Sequence, residues 1–139
     1  MIYLEHINLV VNDIEKMLTF YQAAFPHWRV RDKGQSEWYG KPRTWLHFGD
    51  DQQYIALSDN GEGDNRDLEG HQVGLAHFAY VIDNLDAMIK RLSKAGFSIA
   101  KDGSSELFRK NIYFIDPAGF EIEFVEYLSD IPSERNSTV

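Results

Sequence analysis

The segment that starts at His6, H-I-N-L-V-V-N-D-I-E-K-M-L, returns in outline at His77 as H-F-A-Y-V-I-D-N-L-D-A-M-I. The offset is 71 residues (77 − 6), and it lays Asp13, Ile14 and Met17 on Asn84, Leu85 and Met88. Self-similarity of this kind constrains a fold more than any short motif, because both copies must adopt one supersecondary unit. In each copy a β-rich run ends at an acidic or amide residue and passes into a helical pattern. Asp13 and Asn84 are natural N-caps, since a short side-chain oxygen can accept a free N–H of the first turn. Ile14, Met17, Leu18 and Tyr21 make one apolar stripe; Leu85, Met88, Ile89 and Leu92 make the other, and Gly96 stops the second helix.

Each copy closes with a hairpin. Thr44 to Phe48 and Tyr54 to Leu57 flank a turn at Gly49-Asp50-Asp51, and Asn111 to Ile115 and Phe120 to Val125 flank Asp116-Pro117-Ala118-Gly119. Between helix and hairpin there is room for one more strand, near Trp28–Val30 and near Ser98–Ala100. The expected unit is therefore β-α-β-β-β, present twice, over about residues 1–58 and 72–128. The Gly-, Asp- and Asn-rich loop Asp59–Gly70 links the copies. Residues 129–139 read as a polar tail that frays. A repeat this short cannot bury a sheet by itself, so residues 1–128 are expected to form one α+β domain. Its two modules would build one curved, barrel-like mixed sheet with the helices on the convex face.

Strand parity then sorts side chains by face. Ile7, Leu9 and Val11 share one side of the first strand, and His6, Asn8 and Val10 the other. In the last strand Ile122 and Phe124 oppose Glu121, Glu123 and Val125. The apolar sides must meet the helices, so His6 and Glu123 face away from them, and the repeat gives His77 the same place. Trp45, His47, Tyr54 and Tyr113 fall on that second face. With Trp38 and Tyr39 added as further aromatic wall, the face carries too much ring surface for plain solvent exposure and reads as a cleft.

Composition narrows the chemistry. The chain has no cysteine, which removes disulfides, thiolate nucleophiles and Cys-based metal sites together. A formal charge of −8 disfavours nucleic acid or an anionic membrane as partner. No apolar run approaches the ~20 residues of a membrane span. The opening residues lack the basic and apolar regions of a secretory signal, so a cytoplasmic location is expected.

Two imidazoles and one carboxylate, His6, His77 and Glu123, are a donor set for one divalent ion. It suits Fe(II) and also accepts Mn, Zn or Ni. The first-copy counterpart of Glu123 is Ala56, so only three protein ligands are expected and positions stay open for substrate. His47 has the pKa range of a general acid or base, and Tyr113 could hydrogen-bond a reacting oxygen. These two are the candidate catalytic residues; Asn8, Trp45 and Tyr54 are the candidate substrate contacts.

The opening L-E-H-I-N-L-V-V-N-D-I with F-Y after it, the central H-F-A-Y-V-I, and F-I-D-P-A-G-F-E-I-E-F-V-E resemble the vicinal oxygen chelate superfamily. That superfamily includes glyoxalase I, fosfomycin resistance proteins, extradiol dioxygenases and bleomycin-binding proteins. The resemblance runs from about Tyr3 to Tyr127. It implies metal ligands at His6, His77 and Glu123 and a small oxygen-rich substrate chelated by the metal. The reaction it implies is of lyase, isomerase, epoxide-opening or ring-cleaving type. Ala56 stands where glyoxalase I usually has a glutamate, which turns the reading away from that enzyme. The Ser104-Ser105-Glu106 stretch is a poor match to the serine-rich loop of glutathione-type fosfomycin transferases. The resemblance also implies a homodimer, and it leaves a non-catalytic drug- or metabolite-binding protein as the rival reading.

Overall fold

A computed structural model describes residues 1–104 and 106–137 of the chain. Ser105 of the serine stretch, and Thr138 and Val139 of the tail, lie outside the described residues. The chain divides into two compact units, Met1–Asp64 and Asn65–Val139, and the division falls within the Asp59–Gly70 linker.

In the first unit the order is β1 (His6–Val10), α1 (Ile14–Ala24), β2 (Arg29–Trp38), β3 (Lys41–Gly49) and β4 (Tyr54–Ser58). Asp13 is extended and accepts the Lys16 N–H, so α1 begins where its capping residue predicts. Its stripe of Met17, Phe20, Tyr21 and Ala24 is buried together with Leu9, Leu46, Phe48, Ile55 and Leu57 of the strands. The ring contacts Phe25–Trp28 and Trp28–Phe48 tie the end of α1 to β3. The sheet order is β1-β4-β3-β2, with β1 parallel to β4 and the other pairs antiparallel.

The second unit repeats the plan with β5 (Phe78–Val81), α2 (Leu85–Lys94), β6 (Lys101–Asp102), β7 (Arg109–Ile115) and β8 (Glu121–Tyr127). The sheet order β5-β8-β7-β6 matches that of the first unit strand for strand. Asn84 caps α2 by accepting the Ala87 N–H. Gly96, at φ +94°, ends it in the left-handed conformation that costs glycine no Cβ clash. The fold is thus α+β, with two βαβββ copies and one four-stranded mixed sheet in each.

Four local expectations need correction. The second strand of the first copy is far longer than Trp28–Val30. It continues to Trp38 because every residue from Asp32 onward finds a partner on β3, up to a turn at Tyr39 and Gly40. Tyr39 sits at that tip, 94% exposed, and is not part of an aromatic wall. In the second copy the strand lies at Lys101–Asp102, not Ser98–Ala100, although the Ala100 N–H already donates to Tyr113 O. The tail also does not simply fray. Pro132–Arg135 form a helical turn, α3, whose Glu134 accepts from Ser129 Oγ while Arg135 lies over the Tyr127 ring.

Candidate functional site

The second strand face of the first unit carries a ladder of rings. His6 stacks on Tyr54 with centroids 4.6 Å apart and planes 8° apart, Tyr54 on His47 at 4.4 Å, and His47 meets Trp45 at 5.0 Å. Register explains the ladder. His6 pairs with Tyr54 across β1 and β4, and His47 sits opposite Ala56 across β3 and β4. Trp45 has room because Gly34 is its partner on β2; a Cβ there would come within 2.8 Å of the indole. His6 Nδ1 is 2.8 Å from Glu5 Oε1, which leaves Nε2 as the open ring nitrogen.

A cavity of about 290 Å³ opens among Asn8, Arg43, Trp45, His47, Ala56 and Leu57. All three expected substrate contacts are therefore gathered in this unit, Asn8 and Trp45 on the cavity and Tyr54 in the ring ladder beside it. Burial, the largest influence, holds the His47 imidazolium below its ordinary 6.5. The His6, Arg31 and Arg43 charges act in the same sense, and Asp32 opposes them. At neutral pH His47 is thus a free base able to accept a proton.

In the second unit His77 immediately precedes β5, with its Nε2 3.5 Å from Glu123 Oε1 and its Nδ1 3.6 Å from Glu121 Oε2. Glu123 is the buried member, 9% exposed. Its other oxygen accepts from Asn111 Nδ2 at 3.3 Å. Tyr113 is paired with Glu123 in the β7–β8 register, and its ring meets His77 edge-on at 5.4 Å. Burial first, then the Glu123 charge, raises the Tyr113 phenol above 10, so it is a proton donor throughout the physiological range. Lys101 Nζ lies 4.3 Å over the same ring and 3.4 Å from Glu121.

The expected ligands divide between the units: His6 belongs to the first, His77 and Glu123 to the second. Among the described residues, neither unit alone gathers three His, Asp or Glu side chains as a metal-holding group. The donor chemistry nonetheless suits a divalent ion. Nε2 of His77 and Oε1 of Glu123 converge, and the other Glu123 oxygen accepts from Asn111, the usual way an outer hydrogen bond aims a ligand.

Five residues of this environment escaped sequence reasoning as contributors. Arg43 shares strand parity with Trp45 and His47, and Asn111 shares it with Tyr113, so alternation alone could have found both. Glu5 adjoins His6 in sequence, and its role needs only a side-chain rotamer. Arg31 could not be found that way: a bulge between Val30 and Asp32 swings its guanidinium over the Tyr54 ring, 4.6 Å from the centroid. Lys101 lies on the strand whose position was misjudged.

A sequence model of the Glyoxalase/Bleomycin resistance protein/Dioxygenase superfamily matches residues 3–124. Among solved structures, a glyoxylase/bleomycin resistance protein/dioxygenase domain from Frankia sp. EAN1pec is similar at 20% identity and a TM-score of 0.75, covering 99% of both chains. A glyoxalase family protein from Bacillus cereus matches at 15% identity and a TM-score of 0.73, over 93% of this chain and 96% of its own. The fosfomycin resistance protein FosX of Listeria monocytogenes, solved in complex with Mn(II) and sulfate, matches at 22% and 0.65, over 99% of this chain and 100% of its own. Among the described residues no helix is long and apolar enough to cross a membrane.

Proposed function

The chain belongs to the Glyoxalase/Bleomycin resistance protein/Dioxygenase superfamily, and on that premise we propose that it is a divalent-metal-dependent enzyme acting on a small oxygen-rich substrate. His6, His77 and Glu123 are the proposed ligands. The metal is one of Fe, Mn, Ni or Zn; a family structure holding Mn(II) supports the class of ion. The observation that carries the reading is the His77–Glu123 pair, an imidazole nitrogen and a buried carboxylate oxygen 3.5 Å apart. The resident ion would supply Lewis acidity toward the substrate oxygens.

The protein's own groups do the rest. Asn111 holds one oxygen of Glu123 and so fixes the other. His47, neutral at pH 7, accepts a proton from substrate at its imidazole nitrogen. Tyr113 keeps its phenolic proton and donates it as a hydrogen bond to substrate oxygen. Trp45 and Tyr54 offer ring faces, which orient a planar or apolar part of the substrate.

Metal analysis of anaerobically prepared protein, followed by an activity screen over catechols, hemithioacetals and epoxides, tests the reading. Uptake of less than about 0.1 equivalent of Fe, Mn, Ni or Zn would sink it. A second reading, a binding protein that sequesters its ligand without turnover, draws on the ring ladder from His6 to Trp45. Ligand affinity with no product formed in the metal-loaded protein would favour it.

A further inference from the structure

Arg43 is half-buried on β3, and its surroundings are unusual for a cation in a chain of net charge −8. Nη1 donates to Ser58 Oγ at 3.2 Å, and the guanidinium lies over the Trp38 ring, 4.7 Å from its centroid. Ser58 is fully buried, and its hydroxyl donates in turn to Asn60 Oδ1 at 2.6 Å. The Arg43 head is thus clamped between a hydroxyl and an indole. Its Nε is buried without a hydrogen-bond partner, and among the described residues no carboxylate pairs with it. Arg29 and Lys41, near it in sequence, each have an acidic partner, Asp51 and Glu62.

Glu37 and Asp59 share a second cavity with Arg43, but among the described residues neither forms an ion pair with it, and a partly desolvated guanidinium without such a pair is costly. The side chain borders the 290 Å³ cavity, whose other lining residues are Asn8, Trp45, His47, Ala56 and Leu57. None of these carries a charge when His47 is neutral. A fixed guanidinium beside an indole and an amide offers its outer Nη donors, not the buried Nε, to an oxyanion.

We propose that Arg43 forms an oxyanion subsite in this cavity, so that the substrate carries a carboxylate or phosphonate group with its body against Trp45. This rests on the reading of the cavity as the seat of substrate, and it narrows that substrate from oxygen-rich to anionic. Asn8 supplies a further donor from its amide, and the Ser58 clamp holds the fork in place before the ligand arrives.

The test uses full-length protein stripped of metal by a chelator and then desalted, titrated calorimetrically at low ionic strength with benzoate, phenylphosphonate and uncharged benzamide. At least one of the two anions should bind about tenfold or more tightly than benzamide, and the tighter one identifies the oxyanion. Arg43→Gln should reduce that anion to the benzamide level, and Arg43→Lys should retain part of the preference. Arg29→Gln removes the same charge from an exposed residue and should leave binding within about twofold. Equal affinity for benzamide and the anions overturns the proposal, as does an unaltered Arg43→Gln or an equal loss in Arg29→Gln. If Arg43→Gln fails to fold by circular dichroism, Arg43→Lys decides: unchanged anion affinity overturns the subsite. Wild-type protein that takes up metal but no anion removes this inference alone. Protein that binds the anion but no metal removes the metal reading alone.

Discussion

His77 Nε2 lies 3.5 Å from Glu123 Oε1, so a residue just ahead of β5 and one in mid-β8 present their donor atoms to each other. The parallel pairing of these strands produces the relationship, with Phe78 opposite Ile122 and Ala79 opposite Glu123. The equivalent pair in the first unit is different in kind. There His6 is opposite Tyr54 and stacks on it, and the position of Glu123 is taken by buried Ala56. One copy offers a nitrogen and a carboxylate, the other a nitrogen and a ring.

The ligand assignment predicts that His77→Ala abolishes metal uptake while the far-ultraviolet circular dichroism stays that of the wild type. Asn111→Ala should weaken metal affinity about 10-fold or more, because Glu123 loses the bond that orients it. Calorimetric titration with Mn(II) or Zn(II) measures both. Unaltered affinity in His77→Ala would show that the assignment is wrong.

His47 should titrate below 6.5 in the folded protein, as followed by its imidazole proton shifts. Burial disfavours its charged form, so between the folded and unfolded pKa values the unfolded chain binds more protons. Stability is therefore highest above 6.5 and declines as pH falls from there toward the lower folded value. His47→Gln should flatten that decline. If His47 is the base of the reaction, the acid limb of kcat/KM should have the same midpoint as the proton shifts.

Tyr80 gives the opposite limb. Burial pushes its phenol up to about 12. Above 10 the unfolded chain loses the proton and the folded one keeps it, so stability falls between pH 10 and pH 12, by about 2–3 kcal/mol at most. Tyr80→Phe should remove that share of the alkaline loss in urea denaturation at pH 8 and pH 11.

The turn before β8 depends on Asp116, which is 3% exposed. Its Oδ1 accepts the N–H groups of Ala118 and Phe120 at 2.9 and 3.0 Å. Asp116→Ala leaves both donors without that acceptor and should cost about 1–3 kcal/mol, read as a lower urea midpoint. Asp116→Asn should recover much of the loss, since an amide oxygen can still accept both bonds.

Much of this architecture was legible in one dimension because its causes are local. Asp13 and Asn84 cap helices through bonds to residues three positions on, and Gly96 stops a helix through its own φ. Strand alternation put Asn8, Trp45 and His47 on one cavity and brought Tyr113 to Glu123. Local signals failed where pairing with a distant strand set the boundary. The length of β2 was unreadable because its Asp32–Trp38 stretch is a strand only by virtue of β3.

The sequence by itself therefore determined the doubled βαβββ plan, the starts of α1 and α2, the stop of α2, and the strand parity that puts Asn8, Trp45 and His47 on one face. Periodicity, capping and turn chemistry act within a few residues, and they carry that information without help. Only the tertiary structure decided the bulge that lays Arg31 over Tyr54, the gap at Gly34 that admits the Trp45 indole, and the clamp of Ser58 and Trp38 on Arg43. These depend on register and on side chains brought together from different strands, a property of packing that no single segment holds.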